Sequence, residues 1–516
     1  MQDLIRKKEI VSYFMEKGLL VSNDLLETLE DGELQEVTAI LEKREEDLAV
    51  LSNRTTVFLK SEEKKLNWKE LEKLETITDK KNTATSILPA QKPQAPESDS
   101  VKVIYTYKSE PKKRGTQDFI DHFNARFSAL KKILRQRQEL ANTIAISRIF
   151  SKREREQLSV IGMVSDKQLT KNGNYMLTVE DETAYIRVIV NKTRPDIFKM
   201  AKDIVLDEVI GISGVNGDKI IFANAIFFPD VPITDEAKKA KDESYVVFLS
   251  DLHVGSKYFL DEDFNRFLKW INQDLGSGGQ KSLASKVKYI FVLGDLVDGC
   301  GIYPGQDKEL TIKDISEQYA ECARLLSKIP QHIKMIICTG NHDAMRVAEP
   351  QLPIYRDFSE PLYQLPNATM LSNPAMVNIH SSADFPGFDV LIYHGYSFDF
   401  YVAEVDSIRN NGGYDRADMI MKFLLQKRHL APVHTSTLYV PDSEDNLVIS
   451  KVPDFFASGH IHKASAANYR NITMISGSCW QAKTAYQEKV GHNPEPSRVP
   501  IVNLQTRQIK MLKFGA

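Results

Sequence analysis

The chain has 516 residues, of which 42% are hydrophobic and 27% are charged, and its formal net charge is -3. This is the composition of an ordinary water-soluble globular protein, and the length allows two or three domains. The near-neutral charge excludes a globally basic nucleic-acid-binding protein, so any contact with nucleic acid has to come from a local patch. The four cysteines have no paired spacing, which argues against a disulfide framework and a cysteine-based zinc site.

The N-terminus, Met-Gln-Asp-Leu-Ile-Arg-Lys-Lys, lacks the apolar core of a signal peptide. No apolar run in the sequence is long enough to span a membrane. We therefore expect a cytoplasmic protein that has no membrane partner.

The N-terminal part of the sequence divides into a helical region and a linker. Apolar residues recur at roughly helical spacing in residues 1–75, which predicts a small helical docking module without a visible catalytic group. Residues 76–115 include the segment "ILPAQKPQAPESDS", which cannot bury much apolar surface. We predict a flexible linker over this interval.

Residues 116–142 are predicted to form a basic helix. Its basic side chains are Lys131, Lys132, Arg135 and Arg137. Such a run is usually a solvated face of the helix, and the functional alternative is contact with a phosphate backbone.

Residues 143–235 change to short, partly alternating apolar runs. The turn signals Asn172-Gly173-Asn174 and Asn216-Gly217-Asp218 separate some of these runs. Five short strands in about ninety residues predict an OB-type barrel. Barrels of this kind bind single strands or serve as protein interfaces, and the few aromatic residues on these strands favour the second role.

The C-terminal part, residues 244–516, alternates strand and helix patterns and is predicted to be a layered α/β domain. Five apolar runs in this part each precede a short polar motif. The motifs are Asp251-Leu252-His253, Gly294-Asp295-Leu296-Val297-Asp298, Gly340-Asn341-His342-Asp343, His394-Gly395 and Gly459-His460-Ile461-His462. Ligands of open α/β sheets bind beyond the carboxyl ends of the strands, so we expect these motifs to meet at one edge.

Each motif by itself is a weak signal, because a histidine near a loop is more often a surface residue and GDxxD can form a turn. Five motifs in this order, each after a strand, predict a metal site. Asp, Asn and His side chains together suit Mn, Fe or Zn better than Mg alone. The positive charge of two divalent ions would exceed the negative charge of Asp251 and Asp295. The net positive charge that remains would favour binding of a phosphate.

The motif order DxH, GDxxD, GNH(D/E), H and GHxH resembles that of the calcineurin-like metallophosphoesterase superfamily. Most of the chain after about residue 100 also resembles the small subunits of archaeal family-D DNA polymerases. Further matching blocks are Lys427-Arg428-His429-Leu430-Ala431-Pro432, Val452-Pro453-Asp454 and Asn493-Pro494-Glu495-Pro496. The resemblance implies an α/β two-layered metallophosphoesterase sandwich, preceded by an OB-type β-barrel and a small N-terminal helical domain.

The resemblance also implies roles for the motif residues. Seven of these residues would hold two divalent ions. The first ion would be held by Asp251, His253 and His462, and the second by Asn341, His394 and His460. Asp295 would bind both ions. His342 would act as general acid toward the leaving 3′-oxygen, and Asp343 would orient its imidazole. Asp298 would either act directly or brace its loop.

Candidate contacts with a DNA strand are Arg346, Lys427, Arg428 and His429. Each residue of this kind is more often a surface or structural group. Tyr258, Tyr396 and Trp480 are candidates to stack on a terminal base, and packing in the core is the alternative for each.

The resemblance implies a metal-dependent 3′→5′ DNA exonuclease that degrades single-stranded ends and proofreads for a polymerase, with polymerisation in a separate large subunit. The expected partners are that large subunit, single-stranded and primer–template DNA, and a sliding clamp. Two divalent ions are expected, Mn²⁺ first, with Fe, Zn or Mg as alternatives. A non-catalytic polymerase scaffold and a stand-alone phosphodiesterase or nuclease remain open. The complete ligand set argues against a vestigial site, because unpaired buried His and Asp are costly.

Overall fold

The computed structural model describes residues 101–515, except 153–154, 234–235 and 490–491, and two short strands nearer the N-terminus. Those strands, β1 (Leu20–Val21) and β2 (Val50–Leu51), pair in parallel within a separate N-terminal unit. Apart from them, the predicted helical docking module and the linker up to residue 100 lie outside the described residues.

The interval predicted as a flexible linker, 76–115, contains an ordered strand, which corrects the prediction. Strand β3 (Lys102–Thr106) pairs antiparallel with residues 375–378 of the C-terminal domain. Just beyond it, the backbone N–H of Tyr107 donates to Ser372 Oγ at 2.7 Å. The partner strand is remote in sequence, so no local pattern reveals this pairing.

The predicted basic helix is present as α1 (Thr116–Leu134), followed by a short 3-10 helix, Gln138–Leu140. Its buried face includes Phe127 and Leu130, which pack against Ile161 and Met163 of the barrel described next. Lys131 pairs with Glu182 at 2.9 Å. Contact of this helix with a phosphate backbone stays a prediction.

The next region is a closed barrel of five strands, as predicted. Its elements are α2 (Ile146–Ile149), β4 (Gln157–Leu169), β5 (Tyr175–Glu180), β6 (Tyr185–Val190), α3 (Pro195–Lys202), β7 (Val209–Asn216) and β8 (Ile220–Phe227). The strand order is β4-β5-β6-β8-β7, and β7 pairs with β4 to close the barrel. Inward-facing aliphatic side chains fill it. The OB-type assignment and single-strand binding stay predictions.

The C-terminal domain contains the remaining strands and helices of the described chain. The strands are β9 (Tyr245–Leu249), β10 (Val287–Leu293), β11 (Lys334–Cys338), β12 (Ala368–Leu371), β13 (Ala375–Ile379), β14 (Phe388–Ile392), β15 (Phe455–Ser458), β16 (Ser465–Tyr469), β17 (Ile472–Ser476), β18 (Arg498–Asn503) and β19 (Ile509–Lys513). The helices are α4 (Asp261–Ile271), α5 (Gly278–Ala284), α6 (Ile315–Leu326), α7 (Arg356–Tyr363), α8 (Phe398–Glu404), α9 (Asp406–Arg409), α10 (Ala417–Lys427) and α11 (Ala485–Lys489). None of the helices in the described part of the chain is long and apolar enough to cross a membrane.

The strands form two six-stranded sheets packed face to face. One sheet has the order β12-β11-β10-β9-β18-β19, and the other has the order β16-β17-β15-β14-β13-β3. Apolar side chains of both sheets meet between them, where the rings of Phe248 and Phe291 stack at 5.2 Å. Helices α4, α5 and α6 cover the outer face of the first sheet, and α8 and α10 cover that of the second. The predicted two-layered sandwich is therefore two sheets with helices on both outer faces.

The five apolar runs that precede the polar motifs are all strands. They are β9, β10, β11, β14 and β15. Strands β9, β10 and β11 are parallel neighbours in one sheet, and β14 and β15 are parallel neighbours in the other. All five motifs consequently follow carboxyl ends at the same side of the sandwich.

Candidate metal centre

The backbone turns sharply at most of the predicted metal ligands. Five of the seven have positive φ: Asp251 (51°), His253 (52°), Asp295 (51°), His460 (72°) and His462 (54°). This conformation is uncommon for residues other than glycine and clusters at functional sites, where the surrounding fold stabilises it. Here each turn directs a side chain back from a strand end toward a shared point.

The predicted ligands of the first ion lie together. Asp251, His253 and His462 are all buried, and their ligand atoms lie within 4.8 Å of one another. The Nε2 atoms of the two histidines are 3.1 Å apart, and His462 Nε2 is 3.3 Å from Asp251 Oδ1. Two imidazole nitrogens that face each other at this distance, beside a carboxylate, suit a shared cation.

The predicted ligands of the second ion also lie together. The ligand atoms of Asp295, His394 and His460 are within 4.8 Å of one another. Asn341 adds its Oδ1, which is 2.9 Å from His394 Nε2. The set combines oxygen and imidazole donors, which suits Mn, Fe or Zn.

Asp295 lies between the two groups. Its Oδ2 is 3.9 Å from His253 Nε2 in the first group and 3.4 Å from His394 Nε2 in the second. Its other oxygen, Oδ1, accepts a hydrogen bond from the backbone N–H of His342 at 2.8 Å. The carboxylate is thus placed where the predicted bridging ligand has to be.

Two positions in the motifs require glycine because neighbouring groups lie too close to leave room for a Cβ atom. A Cβ on Gly340 would collide with the backbone N and the carboxylate of Asp295. A Cβ on Gly459 would collide with Ser250 Oγ, which donates a hydrogen bond to Asp251. The glycines before Asn341 and His460 therefore allow the motif loops to approach the carboxylates.

The charges inside the centre depend on one another. Burial raises the pKa of the Asp295 carboxyl, but the His394 and His342 imidazoles outweigh it, and its pKa lies well below the usual value. Burial likewise lowers the pKa of His394, but Asp295 outweighs it and raises this pKa to about 10. The raised pKa means that His394 holds a proton whose charge balances the Asp295 carboxylate. A divalent ion beside Asp295 would neutralise the same carboxylate charge. For His253, burial prevails and lowers the pKa, which favours the neutral imidazole that binds metals.

Each predicted histidine ligand has a second group at its outer ring nitrogen. The pairs are His253 Nδ1 with Asp298 Oδ1 (3.1 Å), His394 Nδ1 with the Leu293 carbonyl (2.7 Å), His462 Nδ1 with Gln487 Nε2 (2.9 Å) and His460 Nε2 with Asp399 Oδ2 (3.0 Å). Such partners fix ring orientation in metal sites. Among these partners the sequence predicted a role only for Asp298, either direct or in bracing its loop, and the carboxylate of Asp298 contacts the His253 ring.

His342 lies at the mouth of the centre, outside both groups of ligands. Its ring is 4.7 Å from that of His253, and its Nδ1 is 2.7 Å from the Asp298 carbonyl oxygen. A carbonyl oxygen only accepts, so Nδ1 carries a proton and donates it in this bond. Nε2 is therefore the nitrogen left for proton exchange.

The predicted role of Asp343 is wrong. Its carboxylate does not reach the His342 ring but is buried beneath the loops, where it accepts from the backbone N–H groups of Leu296 and Gly340 and from the Tyr319 hydroxyl. Adjacent side chains in this turn point to opposite sides. Asp343 braces two motif loops, and the carbonyl of Asp298 orients His342.

Comparison with known proteins agrees with this geometry. Residues 244–464 match the model of the calcineurin-like phosphoesterase family, so the C-terminal sandwich contains such a domain. The DNA polymerase II small subunit of Methanothermobacter thermautotrophicus is 41% identical over 399 residues, which cover 77% of this chain and 79% of that protein. The chain belongs to the DNA polymerase II small subunit family.

Two further members of the family show the same level of similarity. The small subunit of Pyrococcus abyssi is 38% identical over 76% of this chain and 62% of its own length. The small subunit of Archaeoglobus fulgidus is 38% identical over 77% of this chain and 78% of its own length. The shared region is thus longer than the phosphoesterase domain alone.

Three of the four predicted DNA contacts are buried, which contradicts that role for this family member. Lys427 pairs with Glu208 at 2.6 Å, Arg428 donates to the Ile449 and Ser450 carbonyls, and His429 bonds Asp445 at 2.8 Å. A side chain at most 3% exposed has no surface to offer a strand.

Arg346, the fourth predicted DNA contact, is half-buried. Its guanidinium lies over the Tyr107 ring and donates to the Pro350 carbonyl. Contact between Arg346 and DNA stays a prediction.

The predicted stacking residues differ in position. Trp480 is buried against Phe264 and Phe267 in the core, so it cannot stack on a base. Tyr258 and Tyr396 are half-buried, and the Tyr396 ring lies edge-on to His460 at 5.7 Å. The sequence could not separate these cases, because aromatic residues serve both cores and stacking sites.

Proposed function

We propose that this chain is the small subunit of a two-subunit DNA polymerase, and that its phosphoesterase domain is a two-metal 3′→5′ exonuclease that shortens single-stranded DNA ends and proofreads. Polymerisation would reside in the large subunit. The observation that carries this proposal is the position of Asp295 Oδ2 between two groups of buried Asp, Asn and His side chains. The name shared by the relatives supports the polymerase complex and DNA as partners.

The proposed metal ligands are those expected from the sequence. They are Asp251, His253 and His462 for the first ion, Asn341, His394 and His460 for the second, and Asp295 for both. Two divalent ions in such a centre supply Lewis-acid activation and neutralise the charge of a phosphodiester. We propose Mn²⁺, with Fe, Zn or Mg as alternatives that fit the same donors.

The proposed role of His342 is proton transfer to the leaving 3′-oxygen. Its Nδ1 is occupied by the Asp298 carbonyl, so a proton on Nε2 is the one available at the mouth of the centre. Asp298 therefore orients two histidines, because its carbonyl oxygen contacts His342 and its carboxylate contacts His253. Positioned general acids typically contribute ~10²–10⁴-fold to the rate.

The test uses the full chain, purified alone and then with the large subunit, in the presence of Mn²⁺. A single-stranded oligonucleotide is supplied with a 5′ label in one reaction and a 3′ label in another. We expect a ladder of shortened 5′-labelled products and immediate release of the 3′ label. His342→Ala should lose ~10²-fold or more of this activity and keep its bound Mn²⁺. His332→Ala, which removes an exposed histidine, is the matched control.

Two results would favour the other candidate functions. A metal-loaded wild type that leaves the DNA intact, alone and with the large subunit, would support a non-catalytic scaffold. Nuclease activity without any association with the large subunit would support a stand-alone phosphodiesterase. A sliding clamp as a further partner can be tested by adding it to the same complex.

A further inference from the structure

His460 is oriented differently from the other three histidines of the centre. His253, His394 and His462 each have Nδ1 engaged by an outer partner, and their Nε2 atoms lie close to other ligand atoms of the centre. In His460 the outer contact is at Nε2 instead, which lies 3.0 Å from Asp399 Oδ2. Its inward nitrogen is consequently Nδ1.

This reversal makes the outer partner of His460 important. A neutral imidazole carries one proton, and the nitrogen without it is the one that binds a cation. An imidazole free to exchange tautomers, or to turn about its Cβ–Cγ bond, presents the correct nitrogen for only part of the time. A carboxylate at Nε2 fixes the proton there and leaves the Nδ1 lone pair directed inward.

We propose that Asp399 is the positioning residue for the second ion, and that it acts by fixing the Nε2–H form of His460 so that Nδ1 faces Asp295 and His394. This inference rests on the two-metal centre of the proposed function. Asp399 itself is not a ligand in this assignment, because its contact is on the outer side of the imidazole.

The position of Asp399 in the fold supports this role. It lies in the first turn of α8, five residues after His394, which is itself a predicted ligand of the second ion. The intervening segment is fixed by Ser397, whose Oγ donates to the Leu430 carbonyl at 2.7 Å, and by the buried Phe398. One short segment after β14 therefore supplies a ligand and also orients the ligand that follows β15.

The His460 ring is also limited by its neighbours. The Tyr396 ring is edge-on to it at 5.7 Å, and the His394 ring is edge-on at 5.3 Å. These aromatic contacts restrict the tilt of the imidazole but do not choose between its two tautomers. The Asp399 carboxylate makes that choice, because it accepts hydrogen bonds and an ionised carboxylate donates none.

The experiment measures metal binding to the full chain and does not depend on catalysis. Metal-free wild type and variants are titrated with Mn²⁺ by calorimetry, and electron paramagnetic resonance then reports whether the bound Mn²⁺ ions are magnetically coupled. Ions ~3.5–4 Å apart give a coupled spectrum, whereas a single ion gives an isolated one. His460→Ala defines the spectrum expected after loss of a ligand to the second ion.

We expect Asp399→Ala to weaken the second Mn²⁺ site by roughly 10–100-fold and leave the first unchanged. At subsaturating Mn²⁺ its spectrum should resemble that of His460→Ala, and excess Mn²⁺ should restore coupling. Asp399→Asn should retain part of the affinity, because an amide oxygen can still accept from Nε2–H. Asp406→Ala is the matched control, since this acid pairs with Arg409 and Lys202 near the end of α8.

The outcomes distinguish this inference from the proposed function. Two-ion binding that is equally tight in wild type and Asp399→Ala overturns the positioning role and leaves the metal centre intact. A wild type that binds no second ion overturns the two-metal centre and this inference with it. If Asp399→Ala does not fold, Asp399→Asn is decisive: unchanged affinity together with unchanged metal-binding enthalpy overturns the inference.

Discussion

Glu349 is a buried carboxyl group in the sandwich that accepts hydrogen bonds from neutral side chains. Its Oε2 accepts from the Tyr393 hydroxyl at 2.9 Å, and its Oε1 accepts from Asn373 Nδ2 at 3.2 Å. Burial raises its pKa from 4.5 to about 7, and the hydrogen bonds offset only part of that effect. The folded protein therefore keeps a proton on Glu349 at pH values where the unfolded chain has lost it.

This difference predicts how Glu349 changes the free energy of unfolding with pH. The folded state binds more protons than the unfolded state between pH 4.5 and about 7, so the contribution of Glu349 to stability falls as pH rises through that window. Glu349→Gln resembles the protonated acid. The free energy of unfolding of this variant should equal that of the wild type near pH 4.5. Above pH 7 the variant should be more stable than the wild type by about 1–3 kcal/mol.

Urea unfolding followed by circular dichroism at an acidic and an alkaline pH measures the effect of Glu349→Gln. Glu404→Gln, which changes an exposed acid, is the control and should show no such pH dependence. A stability difference between Glu349→Gln and wild type that is the same at both pH values would contradict the raised pKa.

At the scale of secondary-structure elements, α1 is attached to the sandwich through a buried ionic cluster. Arg126 contacts Asp445 at 2.6 Å and donates to the Pro432 carbonyl at the same distance. His122 and His429 also face Asp445, at 3.3 and 2.8 Å. Burial raises the pKa of Asp445, but Arg126 and His429 outweigh it and hold this pKa well below its usual value. Asp445 therefore stays ionised and depends on the Arg126 guanidinium, because burial lowers the pKa of His429 to about 4 and also lowers that of His122.

The same helix offers a matched comparison between a buried and an exposed ion pair. Arg126→Met leaves Asp445 buried without its strongest partner and should lower the free energy of unfolding by about 3–5 kcal/mol. Lys131→Ala breaks the more exposed pair with Glu182 and should cost less than about 1 kcal/mol. Urea unfolding of the two variants provides the measurement, and equal losses of stability would refute the proposed attachment of α1.

At the scale of the whole molecule, the barrel and the sandwich are joined by a second buried pair. Lys427, at the end of α10, contacts Glu208, which precedes β7 of the barrel, at 2.6 Å. The Lys427 ammonium also lies 3.5 Å from the centre of the Phe228 ring. Both charged side chains are only 1% exposed, so each charge depends on the other.

We therefore expect Lys427 to affect the stability of the fold and not DNA binding. Lys427→Met or Glu208→Leu alone should cost about 3–5 kcal/mol, because each leaves one buried charge unpaired. The double variant should lose less than the sum of the single losses, since no charge is then left. Single-strand affinity of the folded single variants, from fluorescence anisotropy, should stay within about twofold of wild type. A large loss of affinity with unchanged stability would restore Lys427 as a DNA contact.

Much of the C-terminal fold follows from local sequence patterns. Apolar runs of strand length predicted β9, β10, β11, β14 and β15, and helices such as α4 and α6 alternate with these strands, as the pattern of residues 244–516 predicted. These signals lie within short segments, because side-chain periodicity reflects which face of one element is buried. Strand β3 has β-branched and aromatic residues typical of a strand but was included in the predicted linker, and its partner strand is remote in sequence.

The order of the motifs, the chemical types of their side chains and the strands that carry them could all be read from the amino-acid sequence. Those properties are local, and they carried the resemblance that predicted the small-subunit family and implied the seven proposed metal ligands. The three-dimensional fold was needed to show that Lys427, Arg428 and His429 are buried, that Asp343 braces loops, and that Asp399 contacts His460. Burial and hydrogen bonding depend on segments up to hundreds of residues apart, and a linear pattern does not record which of them meet.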